Sequence, residues 1–337
     1  PLFAFYFSLT FPSVNVKIIL SCYIGAVIMS IKFHLPDFWS HGPLNLALID
    51  MIKEHPEYFR DGVEIASVYG CFPPAVWNGG RNINGYADER AITHVLDEFN
   101  KRGIPCRFTF TNPLLTEEHM SDRFCNRLVQ LADNGLNEAI VNTQVMEDYL
   151  RANYPNYKLT SSTCKQIRGL EPLIEELKKD YSLVVLDYNW NNDFEALEKI
   201  PEEYRGKIEV LVCPYCFPDC KRRGDHYKFL GEQQIKRSSI NAFGNIGGIN
   251  MLNVQTEENF RCEAISRNFL ETIEFSTHIT PETLFEKYVP MGFRHFKIEG
   301  RTLHPLNVIE SYVYYMTKPE YKDLVRLKLG LDTFRAR

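Results

Sequence analysis

Ile208-Glu-Val-Leu-Val-Cys213-Pro-Tyr-Cys216-Phe-Pro-Asp-Cys220-Lys-Arg-Arg223 is the stretch on which fold and chemistry both turn. A run of β-branched and aliphatic residues ends directly in a cysteine, and two more cysteines follow within seven positions. A buried strand that delivers soft ligands to its C-terminal end has this pattern. The other reading is a Pro-rich turn whose cysteines cluster by chance. In a chain that scatters its remaining thiols, three so close together favour a ligand site.

Short apolar runs of the same kind recur along the chain after residue 30. They are Ile31–Leu35, Val63–Tyr69, Cys106–Thr111, Glu138–Asn142, Tyr157–Ser161, Leu183–Asp187, Ile208–Cys213 and His295–Glu299. Amphipathic segments lie between them: Leu44–Glu54, Asp88–Lys101, Glu117–Ala132, Gln144–Arg151, Leu170–Asp180 and Phe194–Glu203. The strand runs are apolar throughout rather than alternating, as parallel strands covered on both faces should be. Gly62, Gly103, Gly135 and Gly292 fall at the helix-to-strand turns, where a left-handed residue is cheapest. Strand–helix units in this succession predict a (β/α)8 barrel of the TIM type. A doubly wound open sheet is the other candidate, but no G-x-G-x-x-G follows an early strand.

One connection breaks the rhythm. Strand seven ends near Cys213 and strand eight begins at His295, with only Pro281–Tyr288 reading as the intervening helix. Residues 214–280 are therefore expected to form an insertion on the C-terminal face, and long insertions in compact folds are usually functional. This insertion carries Cys216, Cys220, Cys262, the basic run Lys221-Arg-Arg223 and the Gly-rich stretch Phe243–Asn250.

Composition bounds the class. The chain has 337 residues, 45% hydrophobic and 24% charged, which suits one barrel domain over residues 29–337. Its net charge of −5 argues against general affinity for nucleic acid, so no DNA partner is expected. Nine cysteines without framework spacing fit a reducing, cytoplasmic setting with metal-bound or reactive thiols. Residues 1–28 contain no Asp or Glu and include an apolar run after Lys17 that is short for a bilayer. They read as an apolar extension ahead of a folded part starting at Met29, without firm membrane association.

Chemistry in such a barrel sits at the C-terminal strand ends. These present Tyr69-Gly-Cys71, Thr111-Asn112, Asn142-Thr143, Ser161-Ser162 with Cys164 beyond, Asp187 with Asn189, Cys213, and Glu299 with Arg301. Amides and hydroxyls dominate, and Asp187 and Glu299 are the acids in place. Asp187, Glu299 and Arg301 are the candidate catalytic residues. Asn112, Asn142, Asn189, Arg222 and Arg223 are candidates for holding a polar or anionic substrate. A helix cap is the ordinary alternative for each amide, and a solvated helix start for Arg222 and Arg223. A lone His226 beside a helix start is more often structural.

Cys213, Cys216, Cys220 and Cys262 could supply four thiolates, to a [4Fe–4S] cluster or to a tetrahedral zinc. A single C-x-x-C with irregular partners points to the cluster, and Cys71 is an alternative fourth ligand. Cys22, Cys106 and Cys125 read as small hydrophobes or extension residues, and Cys164 leans towards a structural role. Ser-His-Asp, H-E-x-x-H, P-loop and kinase signatures are absent from the sequence.

Phe296-Lys-Ile-Glu-Gly-Arg301, followed by a Tyr-rich helix from His304-Pro, resembles the peptidase U32 family, the collagenase-like barrel proteins. Glu209-Val-Leu-Val-Cys213 is similar to the strand ahead of that family's cysteine-bearing segment. The family's G-R-C and C-x-Q-x-C-R segments are missing here, so the chain resembles a divergent branch. The resemblance implies a (β/α)8 barrel. It implies either a [4Fe–4S] cluster serving hydroxylation of RNA or of a small aromatic substrate, with an electron donor, or a peptidase. A non-catalytic barrel with a structural zinc is the third expectation.

Overall fold

In the computed structural model, which describes residues 30–242, Phe260, Cys262 and 268–335, eight parallel strands close into a barrel in sequence order. They are β1 (Ile31–Pro36), β2 (Val63–Gly70), β3 (Cys106–Phe110), β4 (Glu138–Val141), β5 (Lys158–Ser161), β6 (Leu183–Val185), β7 (Ile208–Leu211) and β8 (His295–Lys297). The expected (β/α)8 barrel is the fold that forms. Strands β6, β7 and β8 each end two residues early, because the chain turns there to build the mouth. At Asp187, for example, the carboxylate accepts the Asn189 N–H at 3.0 Å and starts a 3-10 turn.

Helices α1 (Gly42–Glu54), α2 (Glu89–Asn100), α3 (Arg123–Ala132), α4 (Gln144–Asn153) and α5 (Leu170–Lys178) wrap the first five strands. Two expected helices are broken. Glu117–Ala132 divides at Asp122, whose side chain caps α3 by accepting Cys125 N–H at 2.8 Å. Phe194–Glu203 becomes α6 (Phe194–Glu198) and α7 (Glu202–Arg205), since Pro201 cannot continue a helical ladder. The β7–β8 connection contains α8 (Arg223–Ala242), α9 (Phe269–Thr272) and α10 (Pro281–Thr283). After β8, α11 (Pro305–Met316) and α12 (Lys322–Arg335) complete the outer layer. The expected extension 1–28 and the Gly-rich stretch Phe243–Asn250 lie outside the described residues. Among the described residues no helix is long and apolar enough to cross a membrane.

The alternation of strand side chains decides what the barrel encloses. Arg107 on β3 reaches Glu209 on β7, Thr160 on β5 (2.8 Å) and His34 on β1 (2.9 Å), contacts possible only across the interior. Phe33, Phe108, Val210 and Phe296, one residue out of phase, pack against the helices and are fully buried. The interior is thus a buried ion cluster rather than an aliphatic plug. Lys297 Nζ donates to Glu209 Oε1 at 2.8 Å, and Arg107 pairs with Glu209 Oε2. Burial would raise the Glu209 carboxyl, but Arg107, Lys297 and His34 hold it well below the usual carboxylate range. Burial keeps His34 neutral. Arg107 can only donate, so His34 Nδ1 accepts and the proton sits on Nε2, 3.0 Å from His295 Nδ1.

Candidate active site

The insertion forms a roof over the C-terminal mouth. Helix α8 crosses the opening and is tied to loops on the opposite side of the barrel. Arg223, in its first turn, forms a buried ion pair with Asp187 and donates to Gln166 Oε1 at 3.2 Å. Asn112 Nδ2 donates to Gly231 O at 3.2 Å, and Gln234 Nε2 donates to Ala75 O at 3.1 Å. Ser238 Oγ donates to Pro74 O at 2.5 Å. The returning end of the insertion is stitched to β7: Ile279 N–H donates to Val212 O at 3.0 Å, and Asn191 Nδ2 bridges Leu211 O and Thr277 O.

Between roof and strand ends lies a cavity of about 360 Å³. Aromatic side chains in its walls include Tyr188, Tyr215, Tyr227, Phe229 and Phe260. Phe260 stacks on His226 with ring centroids 4.8 Å apart, and the Arg222 guanidinium covers the Phe260 ring at 4.5 Å. Burial drives His226 down to about 4, so it is neutral near pH 7. The floor is cationic. Lys297 lies over the Tyr69 ring at 4.0 Å, and burial lowers its ammonium to about 8. Arg81 pairs with Glu299, whose other oxygen accepts Tyr215 N–H at 3.0 Å. Arg301 donates to Asn78 Oδ1 (2.9 Å), Thr109 Oγ1 (2.8 Å) and Gly79 O (2.5 Å).

The residues expected at the site fall into three groups. Glu299, Arg301, Arg223, Cys216 and Cys262 line the cavity. Asp187, Asn112 and Asn189 lie behind the lining and hold the roof. Asp187 engages Arg223, Asn112 holds Gly231, and Asn189 Oδ1 accepts Asp219 N–H at 2.9 Å. Cys213, Cys220, Cys71 and Asn142 are also off the lining, while Arg222 is exposed on the outer face of the Phe260 stack. β7 and β8 pair side by side, as the placement of Cys213 beside Glu299 requires, and Cys213 Sγ lies 4.0 Å from Glu299 O.

The cysteines sort by exposure. Cys71, Cys106, Cys125 and Cys213 are buried, whereas Cys164, Cys216, Cys220 and Cys262 are half-buried. Burial pushes the Cys71 thiol up to about 12 and the Cys213 thiol further still. Cys164, Cys216 and Cys262 all line the cavity. Burial raises Cys216 to about 11, with the neighbouring Cys220 pushing the same way. Among the described residues no three His, Cys, Asp or Glu side chains converge as ligands of a single metal ion.

The chain has a distant structural likeness to a U32 peptidase. The solved structure of the U32 peptidase Mk0906 aligns with a TM-score of 0.48 and 13% identity, over 81% of this chain and 94% of that one. No family model and no curated protein matches.

Several lining residues were not legible as site residues. Asn78-Gly-Gly-Arg81 sits in the β2–α2 loop, and a Gly pair ahead of an Arg at a barrel strand end was the available signal. A Cβ on Gly79 would stand 2.3 Å from the Thr111 carbonyl carbon, so only glycine lets this loop reach β3. Lys297 was visible in the sequence, but its lowered pKa depends on burial that the sequence does not state.

Proposed function

We propose that this chain is a U32-like iron–sulfur barrel enzyme that oxidatively modifies a flat aromatic substrate, with hydroxylation of an RNA base or a small aromatic as the reaction class. One observation carries the proposal: the four half-buried thiols are those at or beside the roofed cavity, and three of them line it. Each iron of a cluster takes its own thiolate, so the thiols of a [4Fe–4S] group surround it without meeting at one point. A tetrahedral zinc needs its donors at one point. The ligand set that follows is Cys164, Cys216, Cys220 and Cys262, with Cys213 replaced by Cys164.

When bound, the group would supply one-electron chemistry, with the oxygen donor and the electron partner coming from outside the chain. The chain's own residues divide the remaining work. The aromatic walls exclude water and accept a planar ring. The Arg81–Glu299 pair and Arg301 offer directed polar contacts at the floor. Neutral His226 faces the same space.

Purification without oxygen, followed by absorbance and metal analysis, tests this reading. The expected result is a brown protein with about four irons per chain. Cys164→Ser and Cys216→Ser should each lose most of the iron, while Cys213→Ser and Cys71→Ser retain it. A colourless, iron-free, zinc-loaded protein would refute the proposal in favour of a structural zinc. Protein hydrolysis surviving the loss of all four thiols would instead favour the peptidase alternative.

A further inference from the structure

Positive charge is concentrated in the cavity wall. Five cationic side chains line it, Arg81, Arg223, Arg237, Lys297 and Arg301, against one lining carboxylate, Glu299. Arg81 is paired with Glu299, Arg223 with Asp187 and Lys297 with Glu209. Arg301 differs. It is 7% exposed, and it donates to an amide oxygen, a hydroxyl and a carbonyl, with no carboxylate within 4.0 Å among the described residues. An arginine stays protonated even when burial lowers its pKa, as it does here, so the charge remains in the wall. Asp37 acts on it only from beyond contact distance, and a buried charge without a contacting counter-ion is costly.

One further feature bears on the same guanidinium. Gly80, at φ +73°, sits against Arg301. A Cβ there would stand 3.1 Å from Arg301 Nη2 and 3.7 Å from Cys164 Sγ, so the missing side chain keeps the approach to that nitrogen open. Asn78 is fixed in turn by donating to Arg81 O at 2.7 Å, and Thr109 Oγ1 lies 2.8 Å from Asn78 Oδ1. The Arg301 fork is therefore held in a set orientation before any ligand arrives.

We propose that Arg301 forms an oxyanion site, and that the substrate enters carrying a phosphate or carboxylate group attached to its aromatic part. This rests on the reading of the cavity as a substrate site and names the substrate class. A planar guanidinium held by neutral acceptors matches either oxyanion through paired N–H donors. The aromatic walls then take the ring to which the anion is attached.

Binding to the whole 337-residue chain, prepared iron-free, tests this by calorimetry, with adenosine monophosphate and benzoate as anionic probes and adenosine and benzamide as their neutral counterparts. At least one anion should bind one-to-one and at least tenfold tighter than its neutral counterpart, competed by inorganic phosphate. Tight adenosine monophosphate binding identifies a phosphate ligand, and tight benzoate binding a carboxylate. Arg301→Gln should weaken binding at least tenfold. If that variant misfolds by circular dichroism, Arg301→Lys, which keeps the charge but lacks the paired N–H donors, should also weaken binding. Neutral probes binding as well as the anions would overturn the inference, as would a folded Arg301→Gln protein with unchanged affinity. The iron content of anaerobically purified protein is read separately. Iron-free protein that still binds an anion through Arg301 would refute the cluster and keep this site, and iron-loaded protein indifferent to both anions would do the reverse.

Discussion

Replacing Glu209 by Gln tests the buried ion cluster under the cavity. Glu209 is fully buried and holds Lys297 through one oxygen and Arg107 through the other. Arg107 keeps a second acid, since Glu138 Oε2 lies 3.4 Å from its Nε, but Lys297 has no other recorded acid partner among the described residues. Breaking a buried pair from one side costs about 3–5 kcal/mol. The share borne by Lys297 has a ceiling, because the lysine can give up its proton. Burial has already brought Lys297 to about 8 in the folded parent, so its neutralisation at pH 7 accounts for only roughly 1.4 kcal/mol of the difference, at about 1.4 kcal/mol per pH unit. The rest of the loss falls on Arg107, and a total of about 3–5 kcal/mol corresponds, for a chain of this size, to a fall in Tm of roughly 10 °C.

The pH dependence is the sharper signature. Burial already depresses Lys297 from 10.5 to about 8 in the folded parent, so the unfolded state binds more protons between pH 8 and 10.5, and this group makes stability rise with pH over that window. In the variant the Glu209 attraction is gone and the folded pKa drops further. Below pH 8 the folded variant then binds fewer protons than the folded parent. The stability difference between the two should therefore narrow by about 1 kcal/mol as pH rises from 7 to 8, and stay flat above. Urea unfolding followed by circular dichroism at stepped pH measures it. A loss below 1 kcal/mol, or one independent of pH from 6.5 to 8.5, would refute the reasoning. The double variant Glu209→Gln with Lys297→Met should recover part of the loss, because it removes the stranded charge.

Two other perturbations address the roof. Asp187→Asn leaves Arg223 with only Gln166 and the Tyr188 ring, 4.4 Å away, so the first turn of α8 should open and its amides exchange at least tenfold faster; unchanged protection at residues 223–230 would count against the anchor. Gly231→Ala in a helix would ordinarily stabilise by about 1 kcal/mol. Here the new Cβ would stand 2.4 Å from Asn112 Oδ1 and 3.2 Å from Pro113 Cδ, so the expected sign is reversed, with a loss of about 1–3 kcal/mol. A raised Tm would mean that α8 is not seated against the end of β3.

The sequence by itself determined the barrel. Each strand announces itself as a short apolar run and each helix as a 3.6-residue pattern, because periodicity and turn chemistry are local properties of neighbouring residues. For the same reason the broken helices at Asp122 and Pro201 were legible in principle, from a cap residue and a ring without an N–H. The Cys213–Cys220 cluster and Arg301 also stood out at strand ends. Tertiary structure alone decided which of these face the cavity. Cys213 and Cys216 are three positions apart, yet one is sealed beside Glu299 and the other lines the cavity. Cys164, from the β5–α5 loop, reaches the same cavity through the closure of the barrel. Asp187 has the position of a catalytic acid, but its carboxylate is engaged by an arginine 36 residues further along the chain. Burial and charge pairing are properties of what surrounds a residue in space. A sequence states the residue, and only the closed barrel supplies the surroundings.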